Sequence, residues 1–234
     1  MRKAAISVLD VLTKLEGFYG RQEPSWPTDP YLFIVWWLCG YPASDAACAK
    51  GWRALNQEVG VEPQQILAAS PAALATALRP GGMVPELRAM RLKEVAARVK
   101  DEFGGDLRSA LVGPIAQVRK VLKKFPNIAD PGTDRILLFA GIAPVAAIPS
   151  NCPHVLVRIQ HGHERENYGV TYREAQQAVE AEVPHTFDAR SRAYLLLKRH
   201  GQETCKSKPK CPQCPVSASC AYFSGSRRGG SMRA

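Results

Sequence analysis

Four cysteines near the C-terminus carry the strongest chemical signal in the sequence. Cys205, Cys211, Cys214 and Cys220 fall within 16 residues, in the pattern Cys-x5-Cys-x2-Cys-x5-Cys, on a loop rich in Pro, Lys and Ser. Four thiolates can close a tetrahedral zinc site or hold a [4Fe-4S] cube, and spacing alone does not choose between them. Zinc modules more often use two separated Cys-x2-Cys knuckles. Here one such pair is flanked by a single cysteine on each side, which tilts the reading toward the cluster. The chain has seven cysteines, an odd number, and its start MRKAAISVLDVLTKLEG reads as an amphipathic helix without a cleavage-type segment. A disulfide framework is therefore disfavoured and a cytoplasmic location expected. Cys39, Cys48 and Cys152 read as small buried hydrophobes.

The charge balance points to a polyanionic partner. The chain of 234 residues holds 31 Lys and Arg against 21 Asp and Glu, a net charge of +10. The excess is uneven: from Lys198 onward there are eight Lys or Arg and one acid, so this end is expected to face phosphates. The longest apolar run, Tyr31 to Cys39, is too short to span a bilayer and reads as a buried helix.

The elements that must position these residues read as helices throughout. Ser44 can cap one that runs to about Gly60, and Ser70-Pro71 sets a cap before proline at the first helical position. Pro85 opens a helix whose Leu92, Val95, Ala96, Val99 and Phe103 share a face, and Gly104-Gly105 ends it. Pro114 opens the next, with Ile115, Val118, Leu122 and Phe125 on one side. Asp130-Pro131 repeats the cap-and-proline signal. Thr171 with Glu174 forms a capping-box pattern, and Asp188 can cap a last helix ending at Lys198, Arg199, His200 and Gly201. The fold class is all-α. After Phe223 the tail SGSRRGGSMRA lacks apolar anchors and is expected to be disordered.

The cysteine loop, directly after a helix, resembles the cluster loop of the endonuclease III family of base-excision DNA glycosylases, with a first spacing of five residues where the family usually has six. The resemblance implies a [4Fe-4S] cluster, with zinc as the alternative, and basic loop residues facing the DNA backbone, a role that falls on Lys206, Lys208 and Lys210. These lysines also read as a plain solvated loop. A second resemblance lies at Phe125 to Phe139, FPNIADPGTDRILLF, similar to the family's hairpin between two helices. There backbone N–H groups and a helix N-terminus dock a phosphate without reading a base. Asn127 and Ala129 replace the two usual glycines, with Gly132 following. The segment also reads as a plain helix connector. Gly82 to Val99 resembles the segment after the family's first glycine-containing turn, and Pro30 to Ala43 resembles the helix ending at a strand-invading residue. That position falls on Tyr41, which can wedge between bases or simply pack.

The family's catalytic groups do not carry over. A bifunctional glycosylase uses a lysine that attacks the sugar carbon and an aspartate beside the sugar. Pro131 stands at the first position and Pro149 at the second, and residues 140–160 contain no Asp or Glu at all. Asp130, Asp134, His154 and Tyr41 remain as substitutes, although Asp130 is also explained as a helix cap and Asp134 as an acid in a first turn.

The resemblance implies the two-lobed helix-hairpin-helix DNA glycosylase fold. A six-helix barrel lobe would span 29–141, the iron–sulfur lobe would combine 1–28 with 142–223, and 224–234 would form a disordered basic tail. The implied partner is double-stranded DNA, damaged or abasic, bound by a monomer associated with the nucleoid and with no membrane. The implied function is base-excision-repair type binding with nucleotide flipping, by an atypical glycosylase or an inactive lesion binder; a redox-responsive DNA binder is a further alternative.

Overall fold

The computed structural model describes residues 6–229, and among them there are helices and 3-10 turns but no strand. The chain forms two compact units, one drawn from the residues up to Glu23 together with those from Leu137 on, the other from Pro24–Ile136. These boundaries fall about five residues before those expected at 28/29 and 141/142. Trp26 accounts for the first shift, because its ring packs 6.2 Å from that of Trp36 and lies 3.8 Å beneath the Arg135 guanidinium.

Helix α1 (Val8–Tyr19) begins where the Ser7 hydroxyl accepts the Asp10 N–H, and it buries Val8, Val11, Leu12 and Leu15 on one stripe. Residues 1–5, read above as part of this helix, lie outside the described residues. Helix α2 (Pro30–Leu38) starts with an Asp29 cap and proline at its first position. It is apolar all round because it is buried all round. Helices α3 (Asp45–Glu58) and α6 (Pro85–Phe103) pack against it, and α4 (Pro63–Ala68) and α5 (Pro71–Leu78) pack in turn against α6. Gly104, left-handed at φ 60°, ends α6. Helix α7 (Ile115–Leu122) buries Val118 and Leu122, but Ile115, expected on the same face, stands 44% exposed at the first position. Helix α8 (Asp130–Phe139) follows the hairpin. Asp130 is its first residue and not its cap, since the Ala129 carbonyl already accepts the Thr133 N–H.

The other unit packs α1 against α10 (Tyr168–Glu182) and α11 (Phe187–Glu203), while α9 (His154–His161) meets α10, α11 and α12 (Ala221–Gly229). Two caps differ from the expected ones. Asn167 caps α10, while Thr171 is buried and its hydroxyl accepts the Arg165 N–H. Thr186 caps α11, leaving Asp188 in the first turn. Gly201 does not stop α11 either. It is buried inside the helix, where an added Cβ would lie 2.3 Å from that of Cys152, so it is there for close packing. The expected disorder after Phe223 is corrected as far as Gly229: α12 continues, with the Ser224 N–H and hydroxyl both donating to the Cys220 carbonyl. Residues 230–234 of that tail lie outside the described residues. No helix among the described residues is long and apolar enough to cross a membrane.

Candidate functional site

The cysteine loop is built from the end of α11 outward. Thr204 and Cys205 both donate their N–H to the His200 carbonyl, and Lys210 N–H returns to the Thr204 carbonyl, which closes the first half of the loop. A 3-10 turn at Cys211–Gln213 brings Cys214 N–H to the Cys211 carbonyl, and a second at Ser217–Ser219 leads into Cys220. The result is that all four cysteines line a single small cavity partly open to solvent, walled also by Arg158, Ile159, His200 and Tyr222. Burial pushes the Cys205 and Cys211 thiols up, and Cys214 to about 11; the neighbouring sulfurs add to the effect. A bound cation inverts this balance, because thiolates are then stabilised by the charge they surround.

Three basic side chains hold the loop in place. Arg158, from α9, donates to the Lys206 carbonyl at 2.8 Å, reaches Cys205 Sγ at 3.9 Å and pairs with Glu164 at 2.9 Å. His154 Nε2 meets the Cys205 carbonyl at 2.7 Å, and burial pulls the pKa of this imidazole down. His200 is 1% exposed and lies with Nε2 3.7 Å from Cys214 Sγ; burial depresses its pKa to about 4. Lys206, Lys208 and Lys210 all stand exposed on the outer side of the loop. Among the described residues no three His, Cys, Asp or Glu side chains gather closely enough to hold a single ion.

The hairpin lies in the other unit. Phe125 and Ile128 are buried and fix its tip, and Ile128 N–H donates to the Phe125 carbonyl. Asn127 adopts φ +62°, the left-handed conformation expected of the glycine it replaces. Ala129 takes no positive φ, so the second glycine's replacement leaves the turn unstrained. Ion pairs at 2.5 Å tie α7 to α8 on both sides of the tip, Lys123 to Asp130 and Arg119 to Asp134.

Further down α8, the buried Arg135 guanidinium sits within 5.6 Å of the rings of Trp26, Phe33, Trp36 and Trp37 and 3.5 Å from Asp45. This locks the hairpin helix onto α2. At the end of α2, Tyr41 stacks on Trp37 with centroids 4.7 Å apart. Arg88 then joins that end to the next turn, donating to the carbonyls of Cys39, Leu78, Gly82 and Met83. The turn presents Met83, 83% exposed, and Val84 in a left-handed conformation at φ 50°, strained for a β-branched residue.

The structure lines one cavity with the four cysteines, and it gives each catalytic candidate a partner of its own. Asp134 is buried against Arg119, Asp130 is held by Lys123, His154 serves the Cys205 carbonyl and Tyr41 stacks on Trp37. Pro131 and Pro149 stand where a lysine and an aspartate were sought. Sequence reasoning missed Arg88, Arg135 and Arg158, each of which has at least one partner distant in the chain, and the Met83 turn, whose exposure no local pattern encodes.

This arrangement is the helix-hairpin-helix DNA glycosylase fold. Among solved structures, a trapped endonuclease III–DNA covalent intermediate superposes with a TM-score of 0.75 at 16% identity, covering 94% of this chain and 97% of that one. A thermostable thymine-DNA glycosylase gives 0.72 at 20% identity, with 93% and 97% covered. The H. pylori 3-methyladenine DNA glycosylase MagIII bound to 1,N6-ethenoadenine gives 0.56 at 17% identity, with 84% and 95% covered. At these identities the likeness is one of fold. No family model and no curated protein matches the sequence.

Proposed function

We propose that this chain is a base-excision-repair type DNA-binding protein that grips damaged or abasic duplex DNA, extrudes a nucleotide, and carries a [4Fe-4S] cluster on Cys205, Cys211, Cys214 and Cys220. The observation that carries this reading is the ring of four thiols around one cavity, in a fold shared with DNA glycosylases. A lone zinc ion draws its sulfurs to about 2.3 Å from one point. The spacing, one Cys-x2-Cys pair flanked by a single cysteine on each side, favours the cluster over a lone ion. When bound, the cluster supplies a rigid cross-link and an electron-accepting centre. The protein's own residues do the rest: the loop lysines and hairpin amides meet phosphates, while Tyr41 and Met83 offer an aromatic and an apolar wedge for the opened step. Such a protein acts as a monomer at the nucleoid. Purified under nitrogen, it should be yellow-brown and contain about four irons; a colourless protein with stoichiometric zinc would overturn the cofactor assignment.

Binding without cleavage is the favoured form of this function. The specific observation is that Asp134 is buried in an ion pair with Arg119 and His154 is bonded to the Cys205 carbonyl, so neither stands ready to replace the missing lysine and aspartate. Single-turnover assays on duplexes carrying oxidised, deaminated, alkylated, mismatched or abasic sites should show a retained complex and no product above a buffer control. Product that disappears in Asp130→Asn would establish an atypical glycosylase instead.

A further inference from the structure

A chain of hydrogen bonds runs from α1 to one of the cluster cysteines. The Thr204 hydroxyl lies 2.6 Å from the Tyr19 hydroxyl, which lies 3.0 Å from His200 Nδ1, and His200 Nε2 lies 3.7 Å from Cys214 Sγ. His200 is fully enclosed, and the Tyr19 ring meets it edge-on at 5.9 Å, so the imidazole is held in one orientation. A thiolate ligand only accepts hydrogen bonds. The proton of the neutral ring must therefore sit on Nε2, leaving Nδ1 to accept from the Tyr19 O–H, which in turn accepts from Thr204. Packing alone does not call for this, since an apolar side chain would fill the space without the cost of burying two ring nitrogens.

We propose that Thr204, Tyr19 and His200 form a relay that fixes an N–H donor against the Cys214 sulfur, raising the reduction potential of the bound cluster and slowing its loss. The inference rests on the cluster assignment made above. Reduction adds negative charge to the cluster and its ligand sulfurs, so a donor aimed at one of them stabilises the reduced state more than the oxidised one. Tyr19 and His200 are positioning residues: neither binds iron, and both act through the ligand.

Redox titration of iron-loaded protein, followed by visible absorbance, tests this directly. His200→Leu removes the donor and should shift the one-electron equilibrium about tenfold toward the oxidised cluster, ~59 mV more negative. His200→Gln places an amide N–H near the same point and should stay close to wild type. Tyr19→Phe removes a single oxygen from a helix end, keeps the fold testable if His200→Leu does not fold, and should shift the potential in the same direction by less. Bleaching by a chelator should quicken in the same order. Iron-loaded Tyr19→Phe and His200→Leu proteins with the wild-type potential would overturn the relay alone, as would a Gln variant that falls as far as Leu. Wild-type protein without iron would overturn the cluster assignment and the relay with it.

Discussion

Asp130 places a carboxylate in the first turn of the helix whose positive end is proposed to meet a phosphate, and it neutralises Lys123 at 2.5 Å. Removing that charge should help binding and not harm it. Asp130→Asn is expected to tighten affinity for duplex DNA several-fold, measured by fluorescence anisotropy at fixed salt; a weaker complex would mean that the carboxylate itself contacts the DNA partner. Asn127 carries the neighbouring prediction. At φ +62° a glycine is accommodated freely, whereas a β-branched residue meets a steric cost of roughly 1–2 kcal/mol. Asn127→Gly should leave the urea midpoint almost unchanged and Asn127→Val should lower it. The Asn127 conformation was legible in the sequence, because asparagine tolerates the left-handed region. The roles of Arg88, Arg135 and Arg158 were not, because each also depends on a carbonyl or ring that only the folded chain brings near. Arg88 and the Cys39 carbonyl, for example, are 49 residues apart.

At the scale of elements, proline starts were read well, while the Gly201 stop and two polar caps were not. The starts at Pro71 and Pro85 and the stop at Gly104 follow from fixed or permissive backbone conformation, which is local. Between Asn167 and Thr171, or Thr186 and Asp188, the choice depends on which residue the neighbouring helices bury. The short α9 has no side-chain cap at its start, and the helical continuation into α12 depends on packing around Cys220. That the four cysteines share one site was legible, because they lie in one short segment. Its basic side should act as a unit: Lys206→Ala, Lys208→Ala and Lys210→Ala together should weaken DNA binding and lower the slope of log affinity against log salt by up to about 3, with iron content unchanged. A slope equal to wild type would show that the lysines are only a solvated surface.

For the whole molecule, the all-α class was legible in the helical punctuation, and the glycosylase fold through the resemblance of the cysteine loop and hairpin, whereas the observed unit boundaries fall at Glu23 and Ile136, with Trp26 packed under Arg135. Two carboxylates also make stability depend on pH. A hydrogen bond from Arg192 holds Glu16, and one from Arg190 holds Glu180, below the ordinary carboxylate range. Lowered folded values mean that the unfolded chain binds protons first on acidification. Their stabilisation is complete above the ordinary value and is lost as pH falls through the folded values, a modest effect because both groups are well solvated. Urea midpoints measured from neutral pH downward should therefore fall below about pH 4.3, with a shallower fall in Glu180→Gln. The proposed DNA recognition is the central claim. The most direct test is equilibrium binding of the iron-loaded protein to a duplex containing one abasic-site analogue and to the same duplex intact, across a salt series. Preference for the abasic duplex, with affinity for both falling steeply as salt rises, is the predicted result; equal affinity for the two, or binding indifferent to salt, would contradict it.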